Sequence, residues 1–181
     1  QYAALFANTL EVSLENEFLP FLYPNQYVNF SPESEASKLA LSMVSEDTSD
    51  VDALQAIYDY ITENLTYDYD LADTVESGYL PDVDATLESK KGICFDYAAL
   101  TAAMLRSRDI PCKLQIGYSG TVKHAWVSVY IRSKGWVDKA VEFSGDSWSR
   151  MDPTFDSNSD DEETIQQYIG NDDNYIVQFT R

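Results

Sequence analysis

The sequence predicts one α+β domain in which helices precede an antiparallel sheet, and three observations point there. Apolar residues recur at helical spacing at Val51, Leu54, Ile57, Tyr58, Ile61 and Leu65. A second helical run, 94–106, is apolar around most of its circumference (Ala98, Ala99, Leu100, Ala102, Ala103, Met104, Leu105), which marks a helix buried inside a domain. Beyond Pro111 the pattern changes to strand-like alternation with a period of two. The chain has 181 residues, 44% of them hydrophobic, which is enough to bury a core. No internal repeat or flexible linker divides it.

Taken in order, residues 1–30 are apolar but irregular. Leu5, Phe6, Leu10, Leu14 and Phe18 fit a short helix, and Pro20 and Pro24 then impose an extended strap. Ser31-Pro32-Glu33 predicts a helix start, with a hydroxyl N-cap and proline at the first helical position. Ala36, Leu39, Ala40, Met43 and Val44 continue one face of that helix. The next helix follows Ser49 or Asp50. Residues 66–69 read as a short extended segment, 70–85 as a loop around Gly78 and Pro81, and 85–89 as a brief turn or helix. The buried helix begins at Cys94 and ends before Ile110-Pro111, because the residue preceding proline avoids helical angles.

Strands are expected over 113–118, 124–131, 136–143 and 147–152, with breaks near Gly120 and Gly145-Asp146. In 124–131, Ala125, Val127, Val129 and Ile131 share one face, and His124, Trp126, Ser128 and Tyr130 share a more polar one. Residues 157–164 read as an acidic loop, and 175–179 close the sheet.

The net charge of −19 excludes nucleic acid and anionic lipid as main partners, since a polyanion would be repelled. The charge is uneven. Residues 1–89 carry 18 acids and one base, 90–150 carry 10 bases and 5 acids, and 151–181 carry 8 acids and one base. Such distributions usually mark solvated faces; here the basic middle also favours an anion such as a thiolate. No run approaches the roughly 20 apolar residues of a membrane span. The chain starts at Gln1, which with its acidic, tyrosine-rich composition suggests an extracellular or cell-surface protein whose signal has been removed.

The candidate chemistry centres on His124, the only histidine in the chain. A lone histidine is more often structural than catalytic, so its surroundings decide. Cys94 heads the buried helix, where the helix dipole and free backbone N–H groups favour an anion. Gly92 before it permits close backbone approach. Asp152 precedes Pro153 at a strand end, where a carboxylate can hold an imidazole in one tautomer. Together these are the parts of an activated thiol nucleophile: Cys94 to attack, His124 to move the proton, Asp152 to orient the ring. Cys94 and Cys112 flank a helix of roughly 21 Å, too long for a disulfide, so both thiols stay free.

The motifs around these residues resemble the transglutaminase-like superfamily. Gly92-Ile93-Cys94-Phe95-Asp96-Tyr97-Ala98-Ala99-Leu100 is similar to its nucleophile motif, and Leu105-Arg106 through Ile110-Pro111 to its helix exit. His124-Ala125-Trp126-Val127 resembles its His-bearing strand, and Trp148 with Met151-Asp152-Pro153-Thr154 its closing strand. The order Cys, His, Asp and the separations of 30 and 28 residues suit that domain. Cys112 departs from the small or hydroxyl residue expected there.

The resemblance covers 51–155. It implies a papain-like core, a Cys-bearing helix on an antiparallel sheet bearing His and Asp, with 1–50 as an N-terminal helical extension and 51–181 as the catalytic domain. It implies a peptide or protein substrate, no cofactor and no obligatory metal. Members of the superfamily include cross-linkers, peptidases, deamidases and inactive copies, so fold does not choose the reaction.

Hydrolysis is favoured over amine cross-linking, and the alternative is a catalytically inactive module that binds an extracellular protein or cell wall. Trp126 is a candidate for substrate contact or for packing. Asp96 reads as a cap of its own helix. Upstream of Cys94 no oxyanion-binding side chain is assigned; Tyr67 and Tyr69 stand nearest. The run from Asp156 to Asp160 imitates a calcium loop, but its sixth and twelfth positions are Asp161 and Gln167. One histidine and two distant cysteines do not make a zinc site.

Overall fold

The computed structural model describes residues 13, 15–119, 121–144, 147–149 and 175–181. The expectations for 1–12 and Leu14, Gly120, Gly145-Asp146, the closing strand beyond Ser149 with Asp152, and the acidic loop fall outside these residues. Helix α1 is Glu35–Met43 and α2 is Asp50–Asn64. The short strand β1, Thr66–Tyr67, leads into α3, Tyr69–Thr74, and α4, Val83–Ser89. After β2, Lys91–Gly92, comes α5, Cys94–Arg106, with the limits its sequence predicts. Strands β3 (Cys112–Ser119), β4 (Val122–Ile131), β5 (Gly135–Ser144), β6 (Ser147–Ser149) and β7 (Tyr175–Thr180) form an antiparallel sheet in the order β6-β5-β4-β3-β7.

Helix α5 is the centre of the core. Ala98 through Leu105 are buried, with α1, α2, α4 and the sheet packed around them. The helix can be apolar all round because every side of it meets protein.

Three sequence expectations shift. α1 starts at Glu35, not behind Ser31, because residues 31–34 close a turn in which the Ser34 N–H donates to the Ser31 carbonyl at 3.1 Å. Its first turn is capped from another helix: the Ala36 N–H donates to the Asp84 carboxylate at 3.0 Å. Residues 70–85 are not all loop, since Asp68 caps the short α3 by accepting from the Leu71 N–H at 2.9 Å. The middle of the polar face of β4, Trp126 and Ser128, is buried too. Ser128 and Trp126 both donate to Gln115 Oε1, and the N-terminal strap lies over Tyr130, with Phe18 4.5 Å away and Phe21 edge-on to Trp136 at 5.5 Å.

Two features yield measurable predictions. At Gly117, where the β3–β7 register shifts, an added Cβ would stand 2.0 Å from the Ile176 carbonyl oxygen and 2.9 Å from the Trp126 ring. Backbone cannot yield as a side chain tip does. Gly117→Ala is therefore expected to lift β7 and cost about 2–3 kcal/mol in urea unfolding.

Asp50, at the head of α2, accepts from Arg132 Nη2 at 2.6 Å, from Nε at 3.0 Å and from the Arg132 N–H at 2.9 Å. Burial pushes this carboxyl up, but the Arg132 hydrogen bonds and charge outweigh burial and hold it below the usual carboxylate range. A lowered carboxyl stabilises the fold above its unfolded value, and that contribution disappears as pH falls through the folded one. Acid titration of stability is thus expected to be shallower for Asp50→Asn than for wild type below about pH 4.

Candidate active site

The site grows from the entry to α5. Gly92 pairs with Tyr67 in the parallel β1–β2 bridge, where the Asp68 N–H donates to the Gly92 carbonyl at 2.8 Å. A Cβ on Gly92 would lie 2.7 Å from the Asp96 Cβ, so only glycine lets the chain turn this tightly into the helix. Asp96 does cap its own helix: one carboxylate oxygen accepts from the Ile93 N–H at 2.9 Å and the other from the Tyr79 hydroxyl at 2.7 Å. Burial keeps the Asp96 carboxyl above its ordinary value despite these two donors, with the Asp68 charge adding to the rise. Burial and the Asp96 contact likewise raise the Tyr79 phenol. The bond ties the 75–80 segment to the first turn of α5.

Cys94 is half-buried at the head of that turn. It opens into a cleft of about 570 Å³, and His124, on β4 directly across from Gly117, lines the same cleft. Other walls are Tyr27 from the strap, Tyr67, the 75–80 segment, Phe95, Ile116, and Phe179 and Arg181 at the end of β7. His124 is 8% exposed, and its ring stacks on Trp126 with centroids 6.3 Å apart. Trp126 itself is 1% exposed and does not line the cleft; it stands behind His124 with its indole bonded to Gln115 at 2.9 Å.

Tyr67 is the residue that the sequence does not single out. Burial raises its phenol, and the neighbouring Cys94 also acts on it. The bridge that places Tyr67 beside Cys94 is only two residues long, and no periodicity announces so short an element. Cys112 is fully buried and inert, its thiol pushed up to about 12 by burial.

Among the described residues, no helix is long and apolar enough to cross a membrane. No group of three or more His, Cys, Asp or Glu side chains among them can hold a metal ion.

Residues 37–153 match the model of the transglutaminase-like superfamily. Over 90 residues the chain is 33% identical to UPF0252 protein MJ1282 of Methanocaldococcus jannaschii, which covers 43% of this chain and 26% of that protein. A candidate cysteine protease from Cytophaga hutchinsonii superimposes with a TM-score of 0.55 at 25% identity, over 73% of this chain and 43% of that one. The periplasmic domain of TgpA from Pseudomonas aeruginosa gives 0.50 at 18% identity, over 78% and 50%, a likeness of fold. The chain therefore spans about a quarter of the archaeal relative and less than half of the Cytophaga chain.

Proposed function

Since the chain belongs to the transglutaminase-like superfamily, we propose that it is a cysteine-dependent enzyme acting on peptide or protein amides, with Cys94 as nucleophile, His124 as proton carrier and Asp152 as the carboxylate that orients it. One observation carries this reading: the thiol at the head of the buried helix and the only imidazole in the chain open into one cleft.

In the reaction, Cys94 Sγ gives its proton to His124 and bonds to the amide carbonyl carbon. The carbonyl oxygen becomes an oxyanion, held by the Cys94 backbone N–H and the Tyr67 hydroxyl. Collapse breaks the C–N bond, and His124 returns the proton to the departing amine. Water then attacks the thioester and gives a proton to His124. The C–S bond then breaks, the carboxylic acid leaves, and His124 returns its proton to the Cys94 sulfur. Water is the favoured acceptor because the half-buried Cys94 is reached from solvent through the cleft.

We assign the enzyme to an extracellular or periplasmic setting, in keeping with its acidic, tyrosine-rich composition. The TgpA domain that shares its fold is itself periplasmic.

The test is mass spectrometry of a peptide library incubated with wild type and with Cys94→Ala. Hydrolysis, deamidation and cross-linking give distinct mass changes; hydrolysis present only with wild type supports the proposal. Products identical for the two proteins overturn it in favour of a binding module.

Tyr67→Phe removes one oxyanion donor and is expected to lower kcat about 100-fold, with alkylation of Cys94 by iodoacetamide retained. An unchanged kcat would remove Tyr67 from the mechanism.

A further inference from the structure

Two cations face the cleft of a chain whose net charge is −19. Lys123 and Arg181, from the sheet, line it, as does Glu76 from the 75–80 segment. Arg181 is held in place. Its guanidinium lies 5.2 Å from the Tyr27 ring centroid and 5.2 Å from that of Phe179, and Nη1 donates to the Thr180 carbonyl at 3.1 Å. Its backbone N–H donates to the Leu114 carbonyl at 2.8 Å, and its carbonyl accepts from Arg106 Nη2 at 2.9 Å.

Among the described residues, no ion pair joins Lys123 or Arg181 to a carboxylate. In so acidic a protein a cation ordinarily finds an acid. A guanidinium fixed by two ring faces and one carbonyl has already lost its rotamer freedom but keeps its charge and its remaining N–H donors. It is prepared for a planar anion.

We propose that this wall recognises a carboxylate on the substrate, so that the cleft selects peptides with an acidic group close to the scissile amide. The reach is short. Phe95, next to Cys94, has its ring 6.3 Å from Tyr27, and Tyr27 touches Arg181. At ~3.3 Å per extended residue, the carboxylate falls within about four residues of the reacting carbonyl. The inference rests on the reading of this cleft as the substrate site of Cys94. A side-chain carboxylate and a free C-terminus supply the same chemistry.

The test uses the full chain carrying Cys94→Ala and fluorescent peptides in three forms: one Glu with an amidated end, Gln in its place with an amidated end, and Gln with a free C-terminus. Anisotropy is expected to show the Glu peptide, or the free-terminus peptide, binding about ten-fold tighter than the amidated Gln peptide. The carboxylate-bearing form that binds tighter identifies the source. The difference should shrink at high salt and in Arg181→Gln and Lys123→Gln.

Equal binding of all three peptides, or no binding of any, overturns the inference. Because these readouts need no turnover, the two proposals fail separately. A charge preference without hydrolysis by wild type sinks the enzyme reading alone, and hydrolysis without a charge preference sinks only the carboxylate site.

Discussion

Replacing Cys94 by alanine lowers peptide turnover by at least about 10³-fold, and His124→Asn does the same. The double variant is expected to be no worse than either single one, because nucleophile and proton carrier act as a unit and neither works without the other. The fold should survive: Cys94 is half-buried at the first turn of α5, where alanine is a good helix former, and the cap through Asp96 does not use the thiol. Rates for the three variants beside far-ultraviolet circular dichroism separate lost chemistry from lost structure. A Cys94→Ala protein that keeps more than about a tenth of wild-type turnover would be incompatible with covalent catalysis.

The largest expected effect on stability belongs to Arg106. Its guanidinium, 2% exposed at the end of α5, donates to three carbonyls: Cys112 at 3.0 and 2.8 Å, Tyr23 at 2.9 Å and Arg181 at 2.9 Å. One side chain thus binds the strap, the first long strand and the end of β7 to the central helix. Burial lowers the guanidinium from its ordinary value, yet a group that starts so high stays charged.

Arg106→Ala leaves those carbonyls without their donor and opens space in the core. The expected loss is about 3–5 kcal/mol, a large share of the stability of an ordinary domain. Arg106→Lys should recover only part of it, since a single ammonium cannot span three acceptors in one plane. Urea unfolding measures both. A loss within about 1 kcal/mol for Arg106→Ala would mean that solvent replaces those bonds without cost.

Where the sequence was legible, local rules and tertiary structure agreed. α5 starts just past its glycine entry and ends at Arg106, ahead of Ile110-Pro111, and its uniform apolarity correctly reports a helix enclosed on all sides. The four long strands lie where alternation puts them, and Cys94 and His124 share a cleft.

What remained hidden is set by contacts between distant segments. The carboxylate that caps α1 comes from Asp84. On the polar face of β4, Gln115 satisfies the buried Trp126 and Ser128, and Phe18 packs on Tyr130. Tyr67 reaches Cys94 through a two-residue bridge, and Arg106 is spent on carbonyls up to 83 residues away. None of these follows from a residue and its neighbours in sequence.

The central claim, that Cys94 is a thiol activated by its helix and by His124, is tested most directly by the rate of its alkylation. With Cys112 fully buried, intact mass reads the addition of one carbamidomethyl group as modification of Cys94. At neutral pH iodoacetamide should label wild type about ten-fold faster than a small-molecule thiol, and His124→Asn should lose most of that excess. Labelling no faster than the free thiol, or a rate indifferent to His124, would contradict the account.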